Sequence, residues 1–165
     1  MVITTIHPVR RTVSAAIRYI IDGDKTGDHS LVQSFMCEGK PDRAAEQFWE
    51  VRQRVGTGRS ATLAQHLIQS FLPGEVTPEQ AMMIGEELCH RLLGEQYQFV
   101  IATHIDHSHI HNHIVFNKLN SQNGDLDFIR ITGMRCVYLQ AAYRGIYSRY
   151  GFSSVCCCLL DYHQW

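Results

Sequence analysis

Several features that often reveal the class of a protein are missing from this 165-residue chain. Nowhere do about eighteen apolar residues stand together, as a membrane-spanning helix requires. The first residues, Val2 to Ile6, alternate instead of forming a charged and then apolar leader. The six cysteines include no CxxC pair and follow no regular spacing. We therefore expect no membrane span, no signal peptide and no disulfide framework, as in a cytoplasmic protein with reduced thiols.

The chain also has no excess of positive charge. Lysine and arginine together number 15 and the acidic residues 16, which gives a formal net charge of -1. A surface for nucleic acid would therefore have to be a local patch. Basic residues do gather in the first third of the chain, and a share of 45% hydrophobic residues is enough to form one core.

Local patterns predict strands that alternate with helices. Strands are predicted at 2–6, 31–35, 62–71, 97–103 and 110–117. Helices are predicted after the capping residues Thr12, Asp42 and Thr77, the last with a capping box that includes Gln80, and at about 134–150. The last two strands are joined by a short polar segment, which is typical of a hairpin. The pattern thus predicts an α+β fold, with a central antiparallel β-sheet flanked by α-helices.

Histidines are concentrated in the predicted hairpin, where five of the ten lie between His104 and His113. Because side chains alternate along a strand, His111 and His113 project to the same side. A turn around 106–108 would place His104, at the end of the preceding strand, opposite His111. Three imidazoles then converge on one point, whereas His107 and His109 lie in the turn.

Three neutral imidazoles with open coordination positions suit a catalytic divalent ion, such as manganese, magnesium or zinc. A closed structural zinc site would need a fourth protein ligand. Asp106 is a candidate for that ligand, or for an outer-shell partner that fixes the tautomer of a ring. The alternative is that these are surface loop histidines that lie near a strand pair by coincidence.

The run His104-Ile-Asp-His-Ser-His-Ile-His-Asn-His-Ile-Val-Phe-Asn117 resembles the third motif of the mobilisation relaxases, the MobA/MobL-like family. The run from His66 to Glu79, and Arg18-Tyr-Ile-Ile21 followed by Lys25-Thr26, are similar to other parts of that family in the same order. Together they cover roughly residues 1–155. The resemblance implies the relaxase fold of the HUH endonucleases, an antiparallel sheet with helices on its faces and a metal held in the sheet by a histidine triad.

The resemblance also implies a function and roles for residues. The function would be metal-dependent nicking and rejoining of one DNA strand at a plasmid or mobile-element transfer origin. Single-stranded DNA and accessory mobilisation proteins would be the partners. Tyr19 would be the nucleophile that forms a covalent tyrosyl-DNA intermediate, with His7 as the alternative. The metal ligands would be His104, His111 and His113. DNA contacts are expected from Arg10, Arg11, Lys25 and His66, although His66 suits a core position equally well. Independently of the resemblance, the aromatic residues Phe48 and Trp49 are candidates for base stacking, and helical spacing favours a core position for Phe48.

Two features depart from the family. Asn112 stands where related nucleases carry an apolar residue, although strand alternation points it away from the metal. The ending from Cys156 to Trp165 does not resemble the family, so we place the relaxase domain at 1–155 and an atypical tail at 156–165.

Two other functions stay open. One is a rolling-circle replication initiator, in which the tyrosine typically follows the histidine motif, and the other is a catalytically degenerate DNA- or metal-binding module, which the net negative charge favours.

Overall fold

A six-stranded sheet organises the protein. The computed structural model describes residues 2–55, 61–123, 142–143, 145–146, 148–151 and 155–157. The strands are β1 (Val2–Val9), β2 (Val32–Phe35), β3 (Ala64–Ser70), β4 (Phe99–His104), β5 (His111–Asn117) and β6 (Val155–Cys157). Their order in the sheet is β2-β4-β5-β3-β1-β6. Every pairing is antiparallel except that of β1 with β6, which is parallel. The predicted α+β class, with its antiparallel sheet, is confirmed.

Among the described residues up to 123, the α-helices that flank the sheet are α1 (Val13–Ile20), α2 (Ala44–Val55) and α3 (Pro78–Leu93). The predicted capping box begins α3, since the Thr77 side chain accepts from the Gln80 backbone and the Gln80 side chain accepts from the Thr77 backbone. The prediction that Asp42 caps α2 is wrong. A 3-10 turn with Pro41 in its first position precedes α2, and Lys40 is its N-cap. The fixed backbone angle of Pro41 suits the first position of a helix, which leaves Asp42 inside the turn.

The helices divide the core between the two faces of the sheet. On one face, α3 buries Ile84 and Leu88 against a cluster that includes Ile114 and Phe116. On the other face, α1 and α2 pack on a second cluster. The strands contribute alternate residues to the two clusters, so that Val115, between Ile114 and Phe116, belongs to this second one. Strand alternation therefore assigns His111 and His113 to the face of α1 and α2, which we call the α1/α2 face.

The last part of the chain is described only in pieces. The described residues between 142 and 150 are helical, as predicted, while 134–141 lie outside the described residues. Cys156 and Cys157 pair with β1 as part of β6, so these two residues of the expected tail belong to the sheet. Residues 158–165 lie outside the described residues. Within the described part of the chain, no helix combines the length and apolar character that crossing a membrane requires.

Candidate metal centre and nucleophile

The register of the hairpin brings three histidines together. His104 at the end of β4 pairs directly with His111 at the start of β5, and His113 follows two residues later on the same face. All three side chains are buried. Each histidine has a ring nitrogen that lies within 4.8 Å of a ring nitrogen of each of the other two. The predicted convergence of His104, His111 and His113 is thus confirmed.

One ring nitrogen of each of these histidines contacts a group outside the triad. His104 donates from Nε2 to the backbone oxygen of Ile20 at 2.8 Å, and His111 donates from Nδ1 to the backbone oxygen of His109 at 3.3 Å. The Nδ1 of His113 lies 2.8 Å from the Nε2 of His66. A carbonyl oxygen only accepts, so it fixes the proton on the nitrogen that contacts it and leaves a lone pair on the other. Such outer contacts orient imidazoles that bind metals.

The protonation of these rings favours metal binding. Burial is the main cause that lowers the pKa of each of the three histidines, and for His113 it lowers the pKa to about 2, with further contributions from the charges of His66, His104 and His111. Burial also lowers the pKa of His66 to about 4. The rings are therefore neutral at pH 7, and neutral imidazole is the form that ligates metals.

One atom of the cluster supports a metal directly. The Nε2 of His113 is buried and has no hydrogen-bond partner. A buried polar nitrogen without a partner is costly, and native structures rarely keep one without a reason. A cation between the three rings would accept its lone pair. The donor set and the unsatisfied nitrogen therefore fit a divalent ion bound by His104, His111 and His113.

Tyr19 lies beside this cluster, at the end of α1. Its ring centroid is 5.6 Å from that of His113 and 5.9 Å from that of His104, and its side chain is 51% exposed. The ammonium of Lys25 lies 3.7 Å from the centre of the tyrosine ring, which is a cation–π contact. The ring of Tyr19 is thus half-exposed and lies next to two histidines of the triad.

The comparisons with known proteins agree with this geometry. The family described as "Relaxase: MobA/VirD2-like, nuclease domain" matches residues 19–127, about two thirds of the chain, from Tyr19 past the histidine hairpin. The chain belongs to this family.

Two curated relatives of this relaxase nuclease domain illustrate the similarity. The chain is 52% identical over 66 residues to the "Group II intron-interrupted relaxase LtrB" of Lactococcus lactis subsp. cremoris (strain MG1363), a match that covers 39% of this chain and 12% of the relative. It is 40% identical over 83 residues to "Protein rlx" of Staphylococcus aureus, which covers 50% of this chain and 26% of the relative. The chain therefore aligns with about a quarter or less of these relatives.

The other residues singled out from the sequence of this relaxase domain lie at different distances from the triad. His7 is half-buried and is the register partner of His66 across β1 and β3. The Asp106 carboxylate lies 3.6 Å from the Nε2 of His107, and the ring nitrogens of the triad use other acceptors. Arg10 and Arg11 are exposed and follow Val9 at the end of β1. Val9 pairs with Ala64, which pairs with Asn117, so the two arginines follow β1 at the level of the end of β5 that lies away from the triad.

Sequence reasoning missed the outer contacts of the relaxase triad. The sequence interpretation gave His66 a possible contact with DNA, whereas the structure also places it against His113. Alternation along β3 could have assigned His66 to one face, but the strand that it contacts is 47 residues away in sequence. The backbone oxygen of Ile20 leaves no trace in the sequence at all. The contact between Lys25 and Tyr19 was likewise not foreseen, although both residues were singled out.

Proposed function

We propose that this domain is a metal-dependent relaxase, which nicks one strand of DNA at a specific site and rejoins it through a covalent intermediate on Tyr19. One observation carries the proposal: the half-exposed ring of Tyr19 packs against His104 and His113, two members of a buried three-histidine cluster. Family membership supports the same chemistry. By analogy with mobilisation, the substrate would be single-stranded DNA at a transfer origin, with accessory mobilisation proteins as further partners.

The triad is the proposed site of the divalent ion. Three nitrogen ligands suit zinc on ligand chemistry alone, while manganese or magnesium would complete its shell with water and phosphate oxygens. When bound, the ion supplies Lewis-acid stabilisation of the charge that develops on the scissile phosphate. The contacts to Ile20, His109 and His66 keep the three rings oriented for it.

Tyr19 is the proposed nucleophile. Its phenol oxygen forms a bond to phosphorus while the bond from phosphorus to one sugar oxygen breaks; the phenol proton leaves to solvent, and the departing sugar oxygen takes up a proton. Because one phosphoester bond replaces another, attack by the free sugar hydroxyl reverses the step and rejoins the strand. The ammonium of Lys25 lies over the tyrosine ring, where it adds positive charge next to an incoming phosphate.

The test is capture of the covalent intermediate. The protein is incubated with zinc, manganese or magnesium and a random-sequence pool of single-stranded oligonucleotides, and tryptic peptides are analysed by mass spectrometry for a nucleotide on Tyr19. The change Tyr19→Phe is expected to abolish the adduct while retaining metal and DNA binding, because it removes one hydroxyl and keeps the ring. Tyr150→Phe, which changes a half-buried tyrosine on the described C-terminal helix, is the matched control and is expected to retain the adduct.

The possible outcomes separate the candidate functions. An adduct on His7 or on another tyrosine would refute the role of Tyr19. Tight binding of metal and DNA by the wild-type chain without any adduct would indicate a catalytically degenerate module. If Tyr19→Phe loses fold or DNA affinity together with the adduct, then Tyr19 has a structural role.

A further inference from the structure

A second feature on the α1/α2 face lies away from the triad. A cavity of about 370 Å³ opens where the start of α1 meets α2, and it is lined by Arg11, Trp49 and Arg52 together with apolar residues such as Phe48 and Leu63. Its volume lies within the range of sites that hold small ligands. Trp49 is 53% exposed, and the guanidinium of Arg52 lies 6.0 Å from the centre of its ring.

We propose that this cavity is a nucleotide-binding subsite, in which a base of single-stranded DNA stacks on Trp49 while its phosphates contact Arg11 and Arg52. The proposal rests on the proposed function, because the DNA would be the same strand that reaches Tyr19. An exposed indole beside arginines is the combination by which proteins hold single strands without reading their sequence.

Charge around the cavity favours an anionic ligand. Arg11 and Arg52 line the cavity, and the one acidic residue that lines it, Glu46, lies 3.3 Å from Arg43. Lys118, next to Asn117 at the end of β5, has its pKa lowered by burial and by the positive charge of Arg52. Positive groups are thus held near one another, and a bound phosphate would offset their repulsion.

The position of the cavity also suits one continuous strand. Its lining includes the residues that begin α1, whereas Tyr19 and Ile20 at the other end of α1 contact the triad. Six residues of helix separate Val13 from Tyr19, which is about 9 Å. Successive nucleotides of one strand lie about 3.4 Å apart along a duplex and further apart when the strand is extended. About two or three nucleotides therefore span the distance between Val13 and Tyr19.

The sheet between the two ends is only partly covered. On the α1/α2 face of β1 and β3, the side chains of Thr5, His7 and Ile68 lie between the level of His113 and that of Asn117, and they are half-buried. A strand of DNA that leaves Tyr19 therefore meets partly exposed side chains of the sheet before it reaches Arg11. On this path the exposed side chain of Arg10 would lie beside the sugar-phosphate backbone of the DNA.

The experiment measures binding without requiring cleavage. Fluorescein-labelled (dT)15 is titrated with the full chain, and its anisotropy gives the affinity. Trp49→Ala is expected to weaken binding about tenfold, the effect typical of losing one stacked base, while Trp49→Phe, which keeps an aromatic surface, recovers most of it. A matched oligonucleotide of abasic sites should bind the wild type and Trp49→Ala equally, because it offers phosphates but no base.

The arginines are tested by the dependence on salt. Arg52→Gln and Arg11→Gln are each expected to reduce the slope of log affinity against log salt concentration by about 0.7, the value for one phosphate contact on a single strand. Two control variants on α3, which covers the other face of the sheet, should leave (dT)15 binding unchanged. They are Met83→Ala, which removes an exposed apolar side chain, and Arg91→Gln, which removes an arginine paired with Glu87.

The outcomes distinguish this proposal from the proposed function. Unchanged (dT)15 affinity in Trp49→Ala, or an equal loss on the abasic oligonucleotide, would overturn the subsite even if the Tyr19 adduct forms. Weaker binding in Trp49→Ala, together with no adduct on Tyr19 in the wild type, would support the subsite and refute the catalytic function.

Discussion

The contact between His66 and His113 offers the sharpest test of the metal centre. The two ring nitrogens are 2.8 Å apart, and the remaining nitrogen of His113, Nε2, is the buried atom without a hydrogen-bond partner. If Nε2 ligates, Nδ1 must carry the proton and donate to His66. Replacement by phenylalanine, His66→Phe, keeps a ring of similar size and removes the acceptor. The Nδ1–H group of His113 is then left buried without a partner.

Two independent estimates give the size of the effect. A buried donor that loses its acceptor costs about 1–3 kcal/mol. Loss of an outer-shell partner of a metal ligand typically weakens binding about 10- to 100-fold, which corresponds to about 1.4–2.7 kcal/mol. Because the second range of free energies lies within the first, we expect His66→Phe to weaken the affinity for zinc or manganese about 10- to 100-fold. His66→Gln keeps an accepting oxygen and should recover part of this loss.

Isothermal titration calorimetry at pH 7.5 measures this change, since the lowered pKa values of the histidines keep them neutral there. His90→Phe is the matched control, because it removes one histidine on α3, which packs on the other face of the sheet. Circular dichroism verifies that each variant is folded. Affinity within threefold of the wild type in His66→Phe would refute the idea that His66 fixes the tautomer of His113.

Two more predictions concern stability. A Cβ atom on Gly85 of α3 would lie 2.5 Å from both Asn112 Nδ2 and Ile101 Cδ1. Gly85→Ala is therefore expected to lower the free energy of unfolding by about 1–3 kcal/mol, measured by thermal denaturation. A variant as stable as the wild type would show that the neighbouring side chains or α3 shift to accommodate the methyl group. The lowered pKa of His66, about 4, means that the unfolded chain binds a proton between pH 6.5 and 4 that the folded chain does not. Stability of the metal-free protein should therefore fall as the pH drops through this window, with a contribution from this residue on the order of 3 kcal/mol. Urea titrations should show a smaller fall in His66→Phe. An equal fall in both proteins would assign the effect to other groups.

Local signals explain what could be predicted from the sequence. The start of α3 depends on Thr77, Pro78 and Gln80, which act on neighbouring backbone groups, so three residues within four positions suffice to predict it. The pairing of His104 with His111 was accessible for a similar reason, since a short loop limits the register and alternation assigns the faces. Where two local signals competed, the prediction failed, because Pro41 rather than Asp42 determined where the turn before α2 begins.

Contacts between distant segments explain what could not be predicted. Tyr19 reaches the triad because Ile17 and Ile20 bury α1 against the sheet, and the backbone oxygen of Ile20 accepts from His104 across 84 positions of sequence. Periodicity identifies the buried stripe of α1 but not the part of the sheet on which it packs. The resemblance to relaxases, and not the pattern of residues, pointed to Tyr19. The cavity beside Trp49 has the same origin, because residues from α1, α2 and two strand ends line it.

Asn112 shows how the two faces of β5 are connected. The sequence interpretation placed it away from the metal, and in the structure it is fully buried on the face covered by α3. Its side chain bonds Gln69 and Thr103, and these are its register partners on β3 and β4. A shift of β5 by one residue would break both bonds and would also turn His111 and His113 to the wrong face. A polar residue at this buried position therefore favours the one register in which three imidazoles converge, which an apolar side chain of similar size would specify less strongly.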